Sequence, residues 1–330
     1  MQDIRAGRRG KRVLLLGATG TIGRETARAL VARGHRVVCA VRRDAPGDPA
    51  LMGTEQRVAD VTDPAGLWRD GLRGEGFDAL VSCLASRTGL PGDAWAIDHD
   101  AHVTALEAAQ RAGVAHVVQL SALCVQKPRL AFQQAKLAFE ERLAVSGLTY
   151  SIVRPTAFFK SLSGQLDRLR AGKPYLLLGD GRLTACKPIA AADLGAYLAD
   201  CLEDPERANR VLPIGGPGPA VTPREQGEKL FALLSLAPRF RQVPVAMLDT
   251  IVGGLALLGR VSPAMAAKAE LARIGRYYAT ESMLVWDPAA GRYDADATPA
   301  TGHQTLFDFY ERLVQGDGGV EAERGAHAVF

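Results

Sequence analysis

The chain has 330 residues, 47% hydrophobic and 23% charged, with a formal net charge of +4. That length allows a well-buried core and that composition is ordinary for a globular enzyme, while the small and scattered basic excess argues against nucleic acid as a partner. The five cysteines (Cys39, Cys83, Cys124, Cys186 and Cys201) are odd in number and form no CxxC pair, and the scattered histidines form no metal-ligand pair, so neither a disulfide framework nor a protein-bound metal is expected.

The segment Met1 to Arg12 is basic but no apolar core of signal-peptide type follows it, which predicts a cytoplasmic, bacterial protein. The run RVLLL at 12–16 reads as a buried strand that leads into a glycine-rich turn, and 21–33 reads as a helix. Strands are then expected at 35–41, 56–59, 77–83, 115–120 and 149–154, with helices at 94–112 and 131–146. Strands alternating with helices predict an α/β fold: a doubly wound parallel Rossmann sheet, covered on both faces and closed by right-handed crossovers. After Pro155 the alternation fades. A turn at Gly179-Asp180-Gly181, a helix at 193–202, a strand at 210–214 and helices at 222–236, 245–258 and 263–276 complete the pattern. The expected organisation is a dinucleotide-binding domain over 1–155, a smaller and mostly helical substrate region over 156–315 with elements returning to the sheet, and a loose tail over 316–330. No stretch of about 18 apolar residues occurs, so no spanning helix is expected. The nearest candidate, 243–261, is interrupted by Pro244, Asp249 and Arg260.

The run Gly17-Ala18-Thr19-Gly20-Thr21-Ile22-Gly23 places GxxGxxG between the first strand and the first helix. Glycines let the backbone turn tightly and approach a pyrophosphate, and the helix N-terminus offers unpaired N–H groups and a positive dipole end. An acid at the end of the second strand would select NADH through the ribose 2′-hydroxyl, but Val41-Arg42-Arg43 stands there. A guanidinium matches a 2′-phosphate in charge and shape, which points to NADPH with Arg42 first and Arg43 beside it. Asp44 follows at once and keeps NADH open. Asp60-Val61 and Cys83-Leu84-Ala85 fall in carboxyl-end loops, where ligands bind in such sheets. Asp60 can accept from the adenine amino group or cap the helix before Pro64; the two readings are equally supported. Pro155 and Thr156, at the end of the sixth strand, complete the expected cofactor contacts.

Ser121 follows the fifth strand directly and Lys136 lies in the next helix. In short-chain dehydrogenases a serine works with Tyr-x-x-x-Lys, the tyrosine being the acid and base. Here the tyrosine position holds Phe132, which cannot donate a proton, so alcohol oxidation and sugar epimerisation are not expected. Lys136 is expected to anchor the ribose and nicotinamide; Ser121 either orients nicotinamide or substrate or only closes its loop. Phe158, Phe159 and Lys160 follow the sixth strand. Aromatic faces suit a flat substrate and Lys160 an anionic one, with core packing nearly as good a reading for the two phenylalanines.

Three segments carry a narrower likeness. Leu120 to Pro128 (LSALCVQKP), Phe132 to Lys136 (FQQAK) and Tyr150 to Leu162 (YSIVRPTAFFKSL) resemble the divinyl (proto)chlorophyllide 8-vinyl reductases, and the looser likeness runs from Val13 to about Leu313. The resemblance implies reduction of a tetrapyrrole's 8-vinyl group to ethyl, with NADPH as hydride donor. It also implies that phenylalanine at position 132 belongs there. Hydride can add to the outer vinyl carbon because the macrocycle spreads the charge; the proton for the inner carbon can come from solvent, Lys136, Ser121 or Cys124. Another atypical NADPH reductase, of isoflavone-reductase or quinone-reductase kind, or a non-catalytic NADPH-sensing regulator, shares the glycine loop and Lys136. The apolar helix at 245–258 reads as a core helix, or as a lid or membrane-surface contact suited to a greasy substrate.

Overall fold

Short runs of leucine and β-branched residues bury both faces of a central sheet. The computed structural model describes residues 10–319, so the first nine residues and most of the tail expected from Gly316 lie outside the described residues. In chain order the first half comprises β1 (Arg12–Leu16), α1 (Thr21–Ala32), β2 (Arg36–Val41), β3 (Glu55–Val58), β4 (Ala79–Ser82), α2 (Ala101–Arg111), β5 (His116–Leu120), α3 (Ala131–Ala144) and β6 (Thr149–Pro155). The second half adds β7 (Tyr175–Leu178), α4 (Ala191–Asp200), β8 (Arg210–Ile214), α5 (Pro223–Leu233), β9 (Phe240–Val243), α6 (Val245–Gly259), α7 (Pro263–Thr280), β10 (Val285–Asp287), β11 (Arg292–Asp294) and α8 (Leu306–Val314). The main sheet has seven parallel strands in the order β3-β2-β1-β4-β5-β6-β8, reversing direction of travel at β1 and β4 as a doubly wound sheet does.

Val13, Leu14, Leu15 and Leu16 have no solvent exposure, because alternate residues enter separate clusters on the two sides of the sheet. Each contributes about 2 kcal/mol of burial. On one side α1 presents Ile22, Thr26 and Leu30 at four-residue spacing. There α4 packs on α1 at Gly195, where an added Cβ would stand 2.6 Å from the Glu25 carbonyl carbon. Thus α4 and β8, both beyond Pro155, belong to the sheet layer. A third cluster joins Phe159, Leu169, Tyr175, Phe231, Phe309 and Tyr310.

Two expectations change. The helix expected over 94–112 is in three parts: a turn at Pro91–Ala94, a wide π-helical segment at Trp95–Asp100, and α2. The parallel pair β7–β9, the hairpin β10–β11 and α8 were not anticipated. Phe159 is 1% exposed and packs 5.3 Å, ring to ring, from Phe309. Of the two readings open for Phe159 this is core packing and not contact with a flat substrate, since the helical turn at Phe159–Leu162 directs the ring into the third cluster.

Candidate active site

The glycine loop joins β1 to α1 with little space to spare. Gly17 has φ +74°, and an added Cβ would stand 2.6 Å from the Cys83 carbonyl oxygen. A Cβ on Gly23 would fall 2.0 Å from the Gly17 carbonyl oxygen. Within the loop, Gly20 N–H donates to that same oxygen at 3.0 Å. No side chain caps α1, whose N-cap is Gly20, so its first-turn N–H groups lack a side-chain acceptor of capping type. Both features, a cradle that a Cβ would fill and an uncapped helix start, fit a dinucleotide pyrophosphate. Ala18 and Ile22 are buried beneath it and Thr19 is exposed.

β2 and β3 end side by side: Ala59 N–H donates to the Val41 carbonyl at 3.0 Å. Arg42 and Arg43 are exposed beyond Val41, and neither makes a hydrogen bond or ion pair among the described residues. The Asp60 carboxylate accepts from Thr62 through its amide (2.8 Å) and hydroxyl (2.7 Å), which holds its pKa below the usual range, and Arg42 adds a smaller pull. The cap before Pro64 is Asp63, which accepts from Ala65 N–H, so Asp60 is not the helix cap. Val61 is buried. Cys83 is half-buried with its sulfur 3.6 Å from the Thr26 hydroxyl, and burial pushes its pKa up to about 12, which favours the protonated thiol. Leu84 is half-buried and Ala85 exposed.

The β4–β5 end of the crevice rests on a buried polar cluster. Lys136, 7% exposed, places Nζ 2.9 Å from Asp98 Oδ1, and Asp98 has no exposure at all. Asp98 also accepts from Ser86 N–H at 3.2 Å. One turn on, His102 Nδ1 contacts the Ile97 carbonyl at 2.9 Å, while Nε2 faces Ser82 Oγ at 3.0 Å and Gln119 Nε2 at 3.1 Å. A neutral imidazole that donates from Nδ1 and accepts at Nε2 satisfies all three contacts. Burial first, and Lys136 second, push the His102 pKa down, so it stays neutral. Ser121, 5% exposed, donates to Glu140, which in turn pairs with Arg154. The serine proton is therefore committed to a buried carboxylate, leaving its lone pairs for a ligand. Pro155 and Thr156 are buried, and the Thr156 hydroxyl donates to the Lys187 carbonyl. Phe158 is half-buried against the α1 side of the sheet; Lys160 is half-buried with no ion pair among the described residues.

Phe132 is half-buried in an apolar cluster with Leu123, Cys124, Leu130, Ile274, Tyr277 and Tyr278. The second half of the chain thus supplies one wall of the crevice through α7. Asp98, His102, Gln119, Glu140 and the α7 tyrosines were not singled out in the sequence. A depression of about 550 Å³ lined by Lys11, Arg36, Asp78 and His116 lies at the opposite, amino-terminal ends of the strands. Ligands of doubly wound sheets bind at the carboxyl ends.

The NAD(P)H-binding family model matches residues 17–205. Among solved structures, an NADPH-dependent quinone oxidoreductase from Escherichia coli, complexed with NADPH, superposes with a TM-score of 0.67 over 91% of this chain and 99% of its own, at 20% identity. That likeness shows the fold. Two plant proteins named divinyl chlorophyllide a 8-vinyl-reductase, chloroplastic, are far more similar in sequence. The Zea mays protein is 47% identical, covering 96% of this chain and 82% of its own, and the Arabidopsis thaliana protein is 46% identical, covering 92% and 76%. Similarity at that level spans both the glycine loop and the α7 wall, and with it the chain belongs to the divinyl chlorophyllide a 8-vinyl-reductase family.

Proposed function

We propose that this protein reduces the 8-vinyl group of a divinyl chlorophyllide, or of a divinyl protochlorophyllide, to ethyl with NADPH. The observation that carries this reading is the 47% identity to an enzyme of that name over 96% of the chain. The crevice chemistry agrees with it, since Phe132 removes the phenol that alcohol chemistry uses. When bound, NADPH supplies the hydride. The protein's part is placement. Gly17, Gly20, Gly23 and the start of α1 would hold the pyrophosphate, Arg42 with Arg43 the 2′-phosphate, Asp60, Val61 and the 83–85 loop the adenine side, and Lys136 the nicotinamide ribose. Ser121, Pro155 and Thr156 would border the nicotinamide, with Phe158 and Lys160 toward the tetrapyrrole. Incubating the purified protein with divinyl chlorophyllide a and either NADPH or NADH tests the reading. Monovinyl product with NADPH supports it, equal rates with NADH remove the Arg42 assignment, and no product with either removes the reaction.

Among the described residues no helix is long and apolar enough to cross a membrane. Yet α6 has no buried residue and exposes Met247, Ile251, Leu257 and Leu258. It packs on α7, where Asp249 pairs with Arg276. This face suits contact with the surface of a pigment-bearing membrane, as a peripheral rather than spanning association. Co-sedimentation with anionic vesicles, lost in Ile251→Glu with Leu258→Glu, is the result expected; equal sedimentation of variant and wild type removes the contact.

A further inference from the structure

The proposed reduction requires a proton at the inner vinyl carbon, and Phe132 cannot provide one. Three elements converge at the corner where it stands. At Gly89, in the loop that leaves β4, an added Cβ would lie 3.0 Å from Ile274 Cδ1 of α7 and 3.7 Å from Phe132 Cδ1 of α3. Tyr278 is four residues beyond Ile274, on the same face of α7. Its hydroxyl lies 3.8 Å from Cys124 Sγ, in the loop that leaves β5 three residues after Ser121. The second half of the chain thus brings a phenol to the corner from which α3 has lost one.

We propose that Tyr278 is the catalytic acid of this enzyme, donating its proton to the inner carbon of the vinyl group; the proposal rests on the reaction assigned above. Exposure selects it. Cys124 is 2% exposed, with its sulfur 3.8 Å from the phenol oxygen. Tyr277 is 4% exposed, and its hydroxyl bridges the Cys124 and Lys127 carbonyls at 2.9 and 3.1 Å. Lys136 is held by Asp98, and the Ser121 proton by Glu140. Tyr278 alone of this group is half-buried rather than buried. Burial, and after it the Cys124 thiol, keep its pKa well above that of an ordinary tyrosine, so the proton is retained at neutral pH.

The step balances. NADPH, when bound, supplies hydride to the outer vinyl carbon. The vinyl π bond breaks and its electron pair passes to the inner carbon and the conjugated ring. The Tyr278 O–H bond then breaks, its proton forms the new C–H bond, and water reprotonates the phenolate. One NADPH and one proton are consumed for each ethyl group formed.

The test compares wild type with Tyr278→Phe in three measurements: thermal midpoint, NADPH affinity by fluorescence, and turnover of divinyl chlorophyllide a. The proposal expects the first two to be unchanged and turnover to fall roughly 100-fold or more, with partial recovery on adding imidazolium, a small acid that can take the phenol's place. Should the variant fold poorly, Tyr278→tetrafluorotyrosine keeps the shape and makes the phenol far more acidic, so a basic limb absent from wild type enters its pH–rate profile if the phenol is the acid. Turnover of Tyr278→Phe within about threefold of wild type overturns the proposal. So does a tetrafluorotyrosine variant whose pH–rate profile matches that of wild type, or a loss in Cys124→Ala with none in Tyr278→Phe, which would assign the proton to the thiol. Absence of turnover in wild type would instead remove the reaction, and the proposal with it.

Discussion

Lys136 Nζ stands 2.9 Å from Asp98 Oδ1, and only one of the two carboxylate oxygens is engaged: Asp98 Oδ2 is buried with no hydrogen-bond partner among the described residues. Desolvation of a buried pair largely cancels its attraction, whereas removing one partner leaves a lone buried charge, at a cost of about 3–5 kcal/mol. The pair therefore serves to fix where the ammonium sits more than to stabilise the fold. Lys136→Met and Asp98→Asn should each lower unfolding stability by a few kcal/mol. The double variant should lose less than the sum of the two, with NADPH binding weakened in all three. Chemical denaturation read as a double-mutant cycle checks this; strictly additive losses would show that the pair is not coupled.

Arg42 is exposed at the end of β2 and makes no hydrogen bond or ion pair among the described residues, only a weak electrostatic pull on Asp60. A charge-assisted hydrogen bond contributes about 1.5–3 kcal/mol. Arg42→Ala should therefore raise the Kd for NADPH about 10- to 100-fold and leave that for NADH unchanged. Titration of both cofactors against intrinsic fluorescence reads the difference.

Gly23 tolerates no side chain, because its Cβ would overlap the Gly17 carbonyl oxygen at 2.0 Å. Gly23→Ala must push α1 away from the loop. The expected outcome is a lower thermal midpoint together with loss of NADPH binding, while Gly253→Ala on exposed α6, with open space around it, leaves cofactor binding as it was. Calorimetric titration distinguishes the two.

Three histidines carry lowered pKa values, mainly through burial: His35, His102 and His116, the last pushed down to about 4. The unfolded chain takes up protons on these groups below about pH 6.5 while the folded chain does not, so stability falls as pH drops from about 6.5 toward 4 and levels off below. Carboxylates with lowered values, such as Asp48 and Glu55, add their loss only nearer pH 4. Denaturation at pH 7, 6 and 5 should show a decline within the histidine window. A flat profile there would mean that the histidines are protonated in the folded state.

The central sheet was legible because its signals are local. RVLLL, HRVVCAV and the glycine loop between them carry strand, turn and helix in consecutive residues, and β1, α1 and β8 fall within a residue or two of the expected bounds. Lys136 and Phe132 were legible because they share one helix face. Asp98 and His102 were not, since they sit in what reads as one amphipathic helix. The wide π-helical turn at Trp95–Asp100 rotates Asp98 inward, toward a lysine distant in sequence. β7 and β9 pair only with each other across more than sixty residues, and neither alternates cleanly, so no local pattern marks them. Tyr278 stands beside Cys124 through a packing contact that no periodicity encodes.

The measurement closest to the central claim is a single turnover with NADPH deuterated at the transferred position and divinyl chlorophyllide a, the pigment then analysed by mass spectrometry and NMR. The account predicts monovinyl chlorophyllide carrying one deuterium, on the terminal carbon of the new ethyl group. Unlabelled product, or label at the inner carbon, would contradict the placement of hydride and proton argued here, and no reduction at all would contradict the reaction.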